Sequence, residues 1–154
     1  MEDSIRNNSF ESAAVFDSSG NLLLRKTGGD HEVRFSKSEA ALMKDGVFTH
    51  NHTGTTDAVS VFSKADINLA TKYGLKEMRA VTGDTTYVLT QTANRRSKNK
   101  FAEDYGDAMR REGQRLSLSI TSNRVLSQKL SSFCSNWLRN NSNKYGYTYR
   151  EVKV

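Results

Sequence analysis

Apolar and polar positions along the chain predict a mixed α and β core followed by two amphipathic helices. The segments FESAAVFD (10–17) and LLLRK (22–26) are short apolar runs on either side of SSGN, whose Ser19-Gly20 step is turn chemistry, so together they predict a β-hairpin. GGD at 28–30 is a second turn, and HEVRF (31–35) after it alternates as a short strand does. SKSEAALMKDG (36–46) reads as a short helix, capped by Ser36 or Ser38 and stopped by Gly46. GVFTHNH (46–52) has the β-branched and aromatic content of a central strand.

SKADINLATKYG (63–74) is a helix with Ser63 ahead of its first turn, Ile67, Leu69, Ala70 and Tyr73 on its apolar side, and Gly74 as its stop. EMRAVTGDTTYVLTQ (77–91) is a hairpin turning at Gly83-Asp84. Beyond residue 97 the period lengthens. Phe101, Tyr105, Met109, Glu112 and Leu116 recur at helical spacing, and Val125, Leu126, Leu130, Phe133, Trp137 and Leu138 do so again. The final YGYTYREVKV (145–154) returns to period two and predicts an edge strand. The expected organisation is a core over 1–92 and a basic helical extension over 93–154 packed on it, as one compact domain.

Composition narrows the function classes. With 154 residues, 36% of them hydrophobic, the chain supports one modest core with much solvated surface. Its single cysteine, Cys134, excludes an internal disulfide, a cysteine zinc cage and a redox pair; SSFCSNW reads as a helix with Cys134 half buried. No apolar run approaches a membrane span, and MEDSIRNNSF is acidic and polar where a signal peptide is basic and then apolar. A cytoplasmic protein with no membrane partner is expected. The net charge of +6 is uneven: residues 1–90 balance to −2 and residues 91–154 to +8. Such a basic half offers a surface for nucleic acid or an acidic protein, or is simply a solvated helical face. Its aromatics do not alternate with the charges as a base-stacking platform requires.

Candidate chemistry concentrates in FTHNHTGTTDAVSVFSKADI (48–67). On a strand, residues two apart share a face, so His50 and His52 can approach one metal ion together. Zinc takes neutral imidazole nitrogens, and a catalytic zinc takes three protein ligands with a fourth position open. Asp66 is the candidate third ligand, because the following helix can fold its first turn back beside the strand. Ser63-Lys64-Ala65-Asp66 also has the form of a capping box, which accounts for both end residues without chemistry. His31, alone after a turn, reads as structural or exposed.

A glutamate, then HxH at a strand end, then S-x-x-D opening a helix resembles the JAMM (MPN+, JAB1/RadC-like) zinc metalloprotease pattern. The matching residues are Glu11, His50, His52, Ser63 and Asp66. FESAAVFDSSGNLL resembles the strand-turn-strand of RadC-like and phage-encoded JAB domains, and GLKEMRAVTGDTTYVLT the strand pair after the motif helix. The resemblance covers residues 9 to about 92. The helical region beyond, ending in a YGYTY-like segment, resembles additions in phage head-associated versions. The family's usual proline is Thr53 here, and the ten residues 53–62 make a longer loop than is usual.

The resemblance implies a JAB/MPN-like, cytidine-deaminase-like α-β-α core with a mixed β-sheet, in a bacterial or phage-infected host cell. It implies that His50, His52 and Asp66 hold Zn²⁺, that Glu11 is the general base, and that Ser63 donates to the oxyanion. Glu32 and Glu39 are rivals for the base. The implied reaction is hydrolysis of a peptide or isopeptide bond in a protein or peptide substrate. Two other expectations stand beside it: a non-catalytic phage or host interaction module of the same fold, and a metal-dependent hydrolase acting on nucleic acid through the basic half.

Overall fold

The hairpin read at Ser19-Gly20 forms as β1 (Ser12–Phe16) and β2 (Leu22–Thr27), paired antiparallel in a computed structural model that describes residues 1–29, 33–53, 60–92 and 100–154. Gly20 takes the left-handed φ of 85° that the turn requires, and the Asp17 carboxylate accepts from the amides of Ser19 and Asn21 at 2.9 and 2.8 Å.

On its other side β1 pairs antiparallel with β3 (Val47–Asn51), Ala13 facing His50. β3 runs parallel to β4 (Glu77–Val81), His50 facing Ala80. β5 (Thr85–Gln91) and β6 (Tyr147–Lys153) complete the sheet antiparallel, giving the order β2-β1-β3-β4-β5-β6. The protein is therefore mixed α/β, with a six-stranded mixed sheet and five α-helices among the described residues.

A parallel pair cannot be closed by a tight turn, so the chain between β3 and β4 crosses over through α3 (Lys64–Tyr73). Gly74 ends that helix at a left-handed φ of 65°. Ile67 and Ala70 of α3 are buried in one core with Val15, Phe48, Met78 and Leu89 of the sheet. Helix α4 (Phe101–Ser117) packs on α3, and α5 (Asn123–Asn141) packs on α4 and β6. Phe101, Tyr105 and Leu138 thereby join the same core, each at most 1% exposed. Phe101 stacks on Tyr145 with centroids 4.6 Å apart, in the 3₁₀ turn Ser142–Tyr145 that leads into β6.

Three local expectations differ from the structure. Residues 31 and 32 lie outside the described residues, and Val33 to Phe35 form no strand. Phe35 instead packs edge-on against Phe48, with centroids 5.6 Å apart, so its apolar surface is partly buried without ladder hydrogen bonds. The helix at 36–46 is only α2 (Lys37–Ala41), capped by Ser36 and not Ser38. It gives way to turns before Gly46, where a Cβ would come within 2.6 Å of the Phe16 carbonyl. The short α1 (Glu2–Ile5) was not expected, having one buried apolar residue and no period to read.

The α1 segment covers the face of the sheet opposite α3 to α5. Arg79 and Thr86 point to that face by alternation; Arg79 pairs with Glu2 at 2.9 Å, and Arg6 donates to Thr86 Oγ1 at 3.0 Å. Among the described residues no helix is long and apolar enough to cross a membrane.

Ile67 is fully buried whereas Leu118, beyond the end of α4, is 88% exposed. Ile67→Ala should lower unfolding free energy by about 2–5 kcal/mol in urea titration, and Leu118→Ser should change it by less than about 0.5 kcal/mol.

Candidate metal centre

In a strand-crossover-strand unit, the carboxyl end of the first strand and the amino end of the helix lie at the same end of the sheet. His50 belongs to the last turn of register of β3, and His52 continues it, its amide donating to Val81 O at 3.0 Å. Asp66 is the third residue of α3. Their side chains meet. The two Nε2 atoms are 3.0 Å apart, His50 Nε2 is 3.2 Å from Asp66 Oδ1, and His52 Nε2 is 3.5 Å from Asp66 Oδ2. His50 and His52 are 6% and 7% exposed.

These separations fit a metal. His50 meets Oδ1 and His52 meets Oδ2 of the carboxylate, and with one ligand atom taken from each residue all three lie within 4.8 Å of one another, close enough to share one ion. At 3.0 Å one Nε2 can donate to the other when the two rings take different tautomers, or both can present lone pairs to a shared ion. The carboxylate and both imidazole nitrogens turn toward one another, and the group His50, His52 and Asp66 could hold a metal ion. Nδ1 of His50 is buried and meets no hydrogen-bond partner among the described residues, so the usual outer partner of a ligating imidazole is missing on that ring.

The capping box expected at Ser63 also forms, with the same atoms. Ser63 Oγ accepts from the Asp66 amide at 3.1 Å, the Ser63 amide donates to Asp66 Oδ2 at 2.7 Å, and the Ser63 hydroxyl donates to Oδ2 at 2.8 Å. Cap and candidate ligand are thus one structure. Burial alone would raise Asp66, but the adjacent His50 and His52 rings outweigh it and hold its carboxyl well below the usual carboxylate range. The positive end of α3 favours the same ionised form.

Glu11 directly precedes β1, its carbonyl accepting from Gly28 N at 2.9 Å. The β1–β3 ladder ends at Ala13 and His50, two residues short of Glu11 and His52. Of the rivals, Glu39 is occupied elsewhere. Its carboxylate accepts from Lys26 Nζ at 2.6 Å and from the Ser36 amide at 2.7 Å, and the Lys26 contact, before all else, lowers its pKa. Glu32 and His31 lie outside the described residues, as do residues 54–59 of the loop and all but Lys100 of the basic cluster at 94–100.

Tyr105 was read only as a core position, yet it supports this centre. Its hydroxyl donates to Phe62 O at 2.6 Å, one residue before Ser63, and so fixes the entry to α3 from the neighbouring helix. Burial, together with Cys134 and Asp66 nearby, pushes the Tyr105 hydroxyl well above its ordinary pKa, so it remains a donor. Helical spacing gave the side chain's burial but no sign of its bond.

Compared with family models, curated proteins and solved structures, the chain matches none.

Burial pushes the Cys134 thiol up to about 11, whereas an unfolded cysteine titrates near about 8.5. The folded state therefore favours the neutral thiol. That stability should be complete below about pH 8.5 and be lost as pH rises toward about 11. Iodoacetamide at pH 8 should label native protein far more slowly than urea-unfolded protein, and Cys134→Ala should flatten the alkaline limb of the stability profile. Equal labelling of both states would refute the buried, neutral thiol.

Proposed function

We propose that the chain is a zinc-dependent metallopeptidase of the JAMM type, with a JAB/MPN-like fold, hydrolysing a peptide or isopeptide bond. The observation that carries this reading is the convergence of His50, His52 and Asp66, three side chains from a strand end and a helix start, with ligand atoms 3.0–3.5 Å apart along three contacts. Two imidazoles and one carboxylate are the donor set of a catalytic zinc with a position left open. When bound there, zinc supplies Lewis acidity and makes water a competent nucleophile near neutral pH.

The chain's own residues divide the remaining work. His50 and His52 orient the centre from a sheet whose register leaves them little freedom. Asp66 brings the negative charge, prepared by the two rings and by the start of α3. Glu11, at the head of β1, takes the proton from the attacking water and delivers it to the leaving amine. Ser63 has two duties. It holds Asp66 through the cap, and its hydroxyl, now turned to Oδ2, rotates toward the developing oxyanion once the carboxylate's charge is engaged.

The protein purified without chelator should carry about one zinc per chain. His50→Ala and Asp66→Ala should lose the metal, while Glu11→Gln should keep it, and all three should abolish cleavage of a peptide library. A chain that binds no zinc would remove this reading. A zinc-loaded chain that cleaves nothing would instead favour the non-catalytic module of the same fold. Ser63→Ala should cost about 0.5–2 kcal/mol of stability through the lost cap and weaken zinc binding as well, read by thermal melts and competition with a chromogenic chelator.

A further inference from the structure

The middle residue of the HNH triplet has no part in the metal centre, because alternation turns it to the opposite face of β3. Asn51 is nonetheless fully buried, at 0% exposure. Its Oδ1 accepts from the Ser12 amide at 2.6 Å. Its Nδ2 donates to Phe10 O at 3.1 Å and to Asn8 O at 3.4 Å. Phe10 and Ser12 are the two neighbours of Glu11. The backbone ladder between β1 and β3 stops at Ala13 and His50, and just where the next pair would form, the Asn51 amide takes its place.

We propose that Asn51 is the positioning residue of Glu11: by bonding the carbonyl before it and the amide after it, the side chain fixes the backbone from which the glutamate reaches the His50–His52–Asp66 centre. The inference rests on the reading that Glu11 acts on water at that centre. The chemistry is specific to a carboxamide, which has an acceptor and a donor a fixed distance apart. Asn51 also sits between His50 and His52 on a strand that cannot slip without inverting all three, so ligand spacing and the placement of Glu11 are set by one short segment. This gives the triplet's central letter a role: the flanking histidines hold the ion, and the residue between them locates the base.

The experiment loads wild type, Glu11→Gln, Asn51→Ala, Asn51→Ser and Arg6→Ala with Co²⁺ and follows the visible spectrum with pH. Arg6 is the control for general loosening, because it ties the same end of the chain to Thr82 O and Thr85 O at 2.6 and 3.2 Å without touching the residues beside Glu11. The expected result is about one cobalt bound in every variant. The pH midpoint should shift by about half a unit or more in Glu11→Gln, in the same direction in Asn51→Ala, less in Asn51→Ser, and not in Arg6→Ala. Exchange of the Ser12 amide should quicken about tenfold in Asn51→Ala.

A midpoint moved by Glu11→Gln but by neither Asn51 variant overturns the positioning role and leaves the metal centre standing. Equal shifts in Arg6→Ala and Asn51→Ala overturn it too, by showing that loosening suffices. Failure of wild type to take up cobalt removes the centre itself and the inference with it. Should Asn51→Ala not fold, Asn51→Ser and the exchange of the Ser12 amide decide the question.

Discussion

The parallel pairing of β3 with β4 is the constraint on which the candidate site depends. Antiparallel neighbours need only a turn, as the β1–β2 and β4–β5 hairpins do, but a parallel neighbour obliges the chain to travel back along the sheet. α3 makes that return, so its first turn stands at the end of the sheet where β3 finishes. Residues 50 and 66, separated by sixteen positions in sequence, become neighbours because of topology alone. Ligands of open α/β sheets gather at strand carboxyl ends for the same reason.

Asp66 shows how little is left to chance at this meeting point. A helix needs its first amides satisfied, and Ser63 and Asp66 do this for each other. The carboxylate then has fixed direction before any ligand arrives. Oδ2 is occupied by Ser63, while Oδ1 is turned to His50 Nε2 at 3.2 Å. Burial works against its charge, and the histidines and helix start work for it, with the second pair of influences prevailing. A cap and a ligand are usually rival explanations of S-x-x-D. Here the cap is what aims the candidate ligand.

Much of this was legible in the sequence where a residue type carries its own geometry. His50 and His52 lie on one face because strands alternate; Gly74 marked the end of α3 because only a left-handed residue closes it so; Ser63 and Asp66 announced the helix start. What was not legible depends on partners distant in sequence. Phe35 looked like part of a strand because aromatic alternation is the same whether a residue pairs in a ladder or only packs on Phe48. α1 has four residues, too few for a period, and is held by the pairs Arg79–Glu2 and Arg6–Thr86, whose partners are more than seventy positions away. The hydrogen bonds of Asn51 and Tyr105 were hidden for the same reason, since polarity and burial predict that a partner exists and not which one.

The two ends of the chain consequently act on the site in different ways. From the amino end, residues 8–12 are stitched to β3, which governs where Glu11 stands. From the carboxyl half, α4 and α5 supply Phe101, Tyr105 and Leu138 to the core that also holds Ile67 of α3, and Tyr105 adds the bond to Phe62. β6 pairs with β5 along Thr85 to Gln91 and covers what would otherwise be an open edge. A cluster made only of His50, His52 and Asp66 therefore takes its rigidity from residues well beyond them. Loss of the Tyr105 hydroxyl would free the carbonyl that precedes Ser63, the residue whose cap holds Asp66. On this geometry Asp66 is the member of the cluster most open to disturbance from the helices, and His50, held by sheet register on both sides, is the least.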